Sequence, residues 1–134
     1  MSEAVFLDSG IFIALLNAQD RWHPQSAGLF GMPRPRWSTS YLVASETYSW
    51  LLHRHGEEAA RAFRGLLHNL AGLSLFDADS RHHRDVARML DRLRGAKLTY
   101  VDASSLCCLE RHRIRKVWST DHHLGLTGAE VLPR

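Results

Sequence analysis

At 134 residues the chain is long enough for one domain with a real core and too short for two, so residues 1–134 are read as a single domain. A hydrophobic share of 45% against 23% charged is that of an ordinary globular protein, which excludes a disordered chain. No apolar run is long enough to cross a bilayer and the N-terminus has no signal-like core, so a cytoplasmic protein without a membrane partner is expected.

The residues Glu3 to Leu7 read as a short buried strand, and Asp8 or Ser9 can cap the helix Gly10–Asn17, which is apolar nearly all round. Taken alone, Asp8 is no more than a capping residue. A loop covers Gln19 to His23, Pro24 opens a short helix through Phe30, and Gly31 to Arg36 breaks regular structure. Trp37-Ser38-Thr39 reads as a second strand, with Thr39 or Ser40 capping a long helix to His55 that Gly56 stops. On that helix Leu42, Val43, Glu46, Trp50 and His53 share a face by spacing, so Glu46 interrupts an apolar stripe. Carboxylates on a buried face are paired or bind metal; the bland alternative is a side chain at the stripe's edge reaching water.

Glu57 to Leu70 forms another helix, Gly72 to Phe76 a third strand, and Asp79 to Arg94 an amphipathic helix ended by Gly95. The outer face of that helix carries Arg81, Arg84, Arg88, Asp91 and Arg92, a pattern that is ordinarily a solvated surface. A helix from Asp102 to Arg111 follows, with the neighbouring Cys107 and Cys108 about 100° apart on it, an arrangement that suits buried reduced thiols better than a disulfide or a zinc site. The strand Lys116 to Ser119 leads into Thr120-Asp121, Gly125 to Gly128 is a turn, and Ala129 to Leu132 is a short last strand. Strands alternate with helices throughout. The expected fold is therefore α/β, a central parallel sheet of four to five strands flanked by helices on both faces.

Asp8 and Asp121 follow strands, and Asp102 begins a helix, positions that meet at the carboxyl edge of an open parallel sheet. With Glu46 they make four carboxylates that one fold can collect. Like charges held close repel, and a divalent cation relieves that repulsion. Oxygen ligands without cysteine point to Mg²⁺ or Mn²⁺, whose natural chemistry beside carboxylates is phosphodiester hydrolysis. The formal charge is only +3, so collecting four acids in one pocket leaves the remaining surface more basic, as suits a polyanionic substrate.

The segments VFLDSGIFIALLN, STSYLVASETYSWL and LTYVDASSLCCLERHRIRKVWSTDHHL resemble, in that order, the PIN domain, in particular the short single-domain type of VapC-like toxins. The resemblance spans Val5 to Leu132 and implies a metal-dependent endoribonuclease whose acidic quartet is Asp8, Glu46, Asp102 and Asp121. By that analogy Asp8 and Asp102 bind Mg²⁺ or Mn²⁺ directly, Glu46 and Asp121 bind directly or through water, and Ser9 and Thr120 orient a ligand, water or phosphate. His122-His123 is compatible with the pattern without being assigned a role. A single-stranded or looped RNA is the expected substrate. Arg34, Arg36, Arg54, Arg111, Arg113, Arg115 and Lys116 are candidates for its phosphates. The resemblance also implies a cognate antitoxin and a homodimer. The rival reading is a PIN-like module that binds nucleic acid or a partner without cutting. An aspartate-nucleophile phosphatase is disfavoured because Gly10 stands where its second acid belongs.

Overall fold

A computed structural model describes residues 3–33 and 35–133 of the chain. Among them, β1 (Ala4–Leu7), β2 (Arg36–Ser40), β3 (Ser74–Phe76), β4 (Lys116–Trp118) and β5 (Glu130–Leu132) build one sheet in the order β3-β2-β1-β4-β5. All four pairings are parallel, with Phe6 of β1 opposite Ser38 of β2 and Val117 of β4. The connecting helices are α1 (Ser9–Leu16), α2 (His23–Phe30), α3 (Tyr41–His55), α4 (Glu57–Asn69), α5 (Ser80–Arg92) and α6 (Tyr100–Arg111). A 3-10 turn at His122–Gly125, which the sequence reading lacks, joins β4 to β5.

Right-handed crossovers put α1 to α4 on one face of this sheet and α5 with α6 on the other. The packing agrees, since α1 touches α2, α3 and α4 while α5 packs along α6. The sheet is thus covered on both sides, and its central strand must be apolar in both directions. Val5, Phe6 and Leu7 are accordingly all buried, a continuous run rather than an alternation. Phe12 of α1 meets Phe63 of α4 edge-on at 5.3 Å between ring centroids, and Phe30 of α2 meets Trp118 at 5.2 Å.

The chain leaves β1 toward β2 and later crosses to β4 on the other side, so the strand order reverses between β1 and β4. A crevice forms at such a reversal, outside the carboxyl ends of the strands, and Asp8 and Ser119 stand at those two ends. Local boundaries differ from expectation for identifiable reasons. Helix α6 begins two residues before Asp102 because the Thr99 hydroxyl accepts the Asp102 N–H at 3.1 Å and caps the helix. Helix α5 ends at Arg92, not Arg94, and the chain turns at Gly95, whose φ of 99° favours glycine. The buried row of α3 is Val43, Thr47 and Leu51, and His53 is exposed, so the inward stripe lies one position away from the one apolarity suggests. Thr47 hides there because its hydroxyl donates to the Val43 carbonyl at 2.7 Å. Both cysteines are buried free thiols, pushed up to about 11 by that burial.

Candidate active site

Asp8 occupies the N-cap position of α1 but makes no capping hydrogen bond with its side chain. The carboxylate instead accepts the Ser119 hydroxyl at 2.7 Å, across the seam between β1 and β4. Asp8 is buried at 4% exposure, and that burial is the main reason its pKa rises to about 6, with Asp102 and Glu46 adding repulsion. The opposing effects, the Ser119 hydrogen bond and the Ser9 N–H, are too weak to reverse it. A buried acid at the mouth of a crevice is costly for a fold unless something positive shares the site.

Asp102 enters from α6, in its first turn, and is also shifted upward, by desolvation first and then by Asp121. Asp121 starts the 3-10 turn, where its carboxylate accepts the His123 N–H at 2.9 Å. That turn swings the His123 ring back over the acids, with Nδ1 3.1 Å from Asp121 Oδ1 and 3.8 Å from Asp102 Oδ2. Glu46 reaches the group from α3, where it is half-buried at the edge of the inward row, and accepts the Ser9 hydroxyl at 2.8 Å. The structure therefore collects all four sequence-derived acids around one rim. Asp8 feels both Asp102 and Glu46, and Asp102 feels Asp121.

Two positions at the rim carry more than the sequence suggested. Ser119 is fully inside the protein, holds Asp8, and also accepts the Asp121 N–H at 2.9 Å, so one hydroxyl ties two of the acids together. His123 is the third member of a group, with Asp102 and Asp121, whose ligand atoms all lie within 4.8 Å of one another. Its signal was present as the Asp-His-His order, but only the Asp121 turn decides which histidine faces the acids. Thr120 is packed against α1: a Cβ on Gly10 would stand 2.2 Å from its Oγ1, so only glycine fits this helix start without displacing Thr120.

The basic candidates are dispersed. Arg36 and Lys116 open β2 and β4 and so lie at the amino edge of the sheet, opposite the acids. Lys116 is engaged by Glu3 at 2.7 Å and by Glu130 at 3.6 Å. Arg113 and Arg115 are exposed in the loop that leads into β4, also at that edge. Arg54 lies over the Trp50 ring at the far end of α3, and Arg111 is bound to Asp85 and His82. Arg34 lies outside the described residues.

The sequence matches the PIN domain family over residues 5–129. No curated protein matches the chain. Among solved structures, it is similar to VapC20 of Mycobacterium tuberculosis, described as a Sarcin-Ricin loop cleaving toxin, with a TM-score of 0.86 and 24% identity over 93% of this chain and 95% of the other. It is also similar to a chain of a toxin-antitoxin complex from Klebsiella pneumoniae, with a TM-score of 0.60 and 20% identity over 96% of each chain. A third, FitAcB from Neisseria gonorrhoeae, has a TM-score of 0.67 and 13% identity, again over 96% of both chains.

Proposed function

We propose that this chain, which belongs to the PIN domain family, is a metal-dependent endoribonuclease that hydrolyses RNA phosphodiester bonds, with Asp8, Glu46, Asp102 and Asp121 as its acidic quartet. The observation that carries the reading is the convergence of four carboxylates from separate elements on one rim, where the structure holds no arginine or lysine against them among the described residues. Mutual repulsion of this kind is what a divalent cation relieves.

The donor set fits such an ion. Ligand atoms that share one cation at about 2.1 Å stand roughly 3–4 Å from one another, and the His123 nitrogen lies 3.1 and 3.8 Å from the Asp121 and Asp102 oxygens. Asp8, Asp102 and Asp121 would hold Mg²⁺ or Mn²⁺, with Glu46 reaching it directly or through water. Bound there, the ion polarises the phosphate, acidifies the attacking water and steadies the leaving oxygen. The residues around it fix the geometry. The Ser119 hydroxyl locks the Asp8 carboxylate and the Ser9 hydroxyl locks Glu46, so each acid meets the substrate already oriented. Thr120, pinned against Gly10, presents its hydroxyl beside the rim for a phosphate or water.

This reading takes residues 1–134 as one domain, acting on RNA in the cytoplasm as the toxin of a toxin-antitoxin pair, with a cognate antitoxin and a second copy of the chain as partners. Arg113, Arg115 and Lys116 would then touch phosphates distant from the cut. The test is cleavage of labelled single-stranded RNA with Mg²⁺ or Mn²⁺, comparing wild type with Asp102→Asn and with EDTA. Cleavage by wild type alone, from an equally folded mutant, is the expected result. Cleavage that persists in both Asp102→Asn and EDTA overturns it.

A further inference from the structure

Four large apolar side chains stand exposed among the described residues: Met32, Tyr41, Tyr100 and Leu126. Three of them flank the acids in sequence. Tyr41 precedes Glu46 by five residues, Tyr100 precedes Asp102 by two, and Leu126 follows Asp121 by five.

Tyr100 is the one with a built partner. Its ring, 44% exposed, stacks on His83 of α5 with centroids 5.5 Å apart and planes 26° apart. A hydrogen bond between the Tyr100 hydroxyl and His83 Nδ1 holds the two rings in that arrangement. Tyr100 and Asp102 are the first and third residues of α6, so their side chains point roughly 200° apart around the helix; what they share is an edge, since α5 follows β3 and α6 leads into β4, and both helices begin at the carboxyl edge of the sheet. On either side of His83, Arg81 and Arg84 are exposed and engaged in no ion pair among the described residues. Farther along the same helix the arginines are committed: Arg88 to Asp85 at 3.1 Å and Arg92 to Glu110 at 3.0 Å. The arginine face of α5 is thus not uniform. Its paired half runs away from the carboxyl edge; at that edge Arg84 follows His83 directly, while Arg81 lines the groove with Asp77, Asp79 and Asp85.

We infer that the Tyr100–His83 pair is a stacking platform for one unpaired base of the RNA on the same edge of the sheet as the acids, with Arg84 holding a neighbouring phosphate. Flat aromatic faces beside cations that answer to no protein acid are the combination by which single strands are bound, with stacking that tolerates any base. The inference rests on RNA being the substrate of the acidic rim, and it assigns the residues that select an unpaired strand over a duplex, in which no base face is available.

The experiment is equilibrium binding of a fluorescently labelled single-stranded RNA in EDTA, where no strand is cut. Tyr100→Leu, which keeps bulk and removes the ring, should weaken binding roughly five- to hundredfold, while Tyr100→Phe stays within about twofold of wild type. Arg84→Ala should lower the slope of log affinity against log salt by about 0.7. An RNA carrying a single abasic site, walked along the strand, should lose affinity for wild type at one position and lose no more for Tyr100→Leu there. Wild-type affinity in Tyr100→Leu overturns the platform. Equal weakening by Tyr100→Phe and Tyr100→Leu also overturns it, because the hydroxyl to His83 would then be acting structurally. Binding that depends on the ring in a protein that never cuts leaves the platform standing and removes the nuclease reading; failure of wild type to bind any RNA removes both.

Discussion

The acidic rim and the groove between α5 and α6 are two concave regions of the same molecule, and they treat charge in opposite ways. The groove encloses about 960 Å³, lined by Phe76, His82, Asp85, Met89 and Arg111 among others, and none of the four acids faces it. Several of its ionic groups answer one another: Asp85 serves both Arg88 and Arg111, and Glu110 takes Arg92 through two hydrogen bonds. Even its buried histidine is satisfied. His82 Nδ1 accepts from Arg111 at 2.9 Å, which leaves Nε2–H to donate to Ser104 at 2.6 Å, and burial holds the ring below its ordinary pKa, in the neutral form this pattern needs. At the rim, four carboxylates converge, and among the described residues His123 is the one basic side chain recorded in ion-pair reach of them. Volume is therefore a poor guide here. The unrelieved repulsion at the rim is what supports the chemistry proposed there, whereas the ion pairs of the groove fasten α5 to α6.

The contrast can be broken most severely at Asp8. Asp8→Asn should lower RNA cleavage roughly a thousandfold, the effect of losing about 4 kcal/mol of transition-state stabilisation, while thermal unfolding in EDTA shows no loss of stability. A mutant that unfolds at lower temperature without metal would make Asp8 a structural residue after all.

The next effect is on pH dependence. Asp8 binds its proton more tightly in the folded state, at about 6 against an ordinary 3.8, so its contribution favours folding at low pH and is lost as pH rises from about 4 to about 6. The loss is roughly 3 kcal/mol at about 1.4 kcal/mol per tenfold change in proton affinity. In EDTA, the stability difference between wild type and Asp8→Asn, read from urea unfolding at pH 4 and pH 7, should move in the mutant's favour at the higher pH. Adding Mn²⁺ at pH 7 should restore wild type and leave the mutant unchanged. A pH-independent difference breaks the link between burial and repulsion at this carboxylate.

At the groove the signs reverse. His82→Ala strands the Ser104 hydroxyl and an Arg111 N–H, and should cost roughly 1–3 kcal/mol of stability while leaving cleavage of RNA by the folded protein within about twofold. Loss of cleavage without loss of stability would show the two regions to be coupled. The smallest change belongs to the surface: Arg92→Ala removes an ion pair whose partners are both about half exposed, and should shift the unfolding free energy by less than about 1 kcal/mol.

How much of this was legible in the sequence differs between the two regions as well. Acids that directly follow apolar strand runs announce themselves, because a parallel sheet delivers every strand end to one rim; Asp8 and Asp121 needed no more than that. For Glu46 the sequence left two readings open, inside the apolar stripe or at its edge, and the structure has it at the edge. Apolarity put it in the inward stripe, whereas Thr47, polar by composition and self-satisfied through Val43, occupies that row and leaves Glu46 at the edge. Ser119 was out of reach, and His123 could not be told from His122, since their importance lies in a hydrogen bond across β1 and β4 and in a turn made by Asp121, neither of which leaves a periodic trace. The groove was read as a solvated charged helix, and no spacing rule reveals that His82 points into it.

The bond from Ser119 to Asp8 joins residues 111 positions apart, and this has a consequence in time. A ribosome moving at about 5–20 residues per second releases the first acid between roughly 6 and 20 seconds before the hydroxyl that orients it. Throughout that interval β1 has no β4 beside it, the seam is open, and the last acid has not been made. Any cleaving centre at this rim therefore cannot form before Asp121 has been made and β4 has docked on β1, and the nascent chain carries its first acid through that whole interval without one.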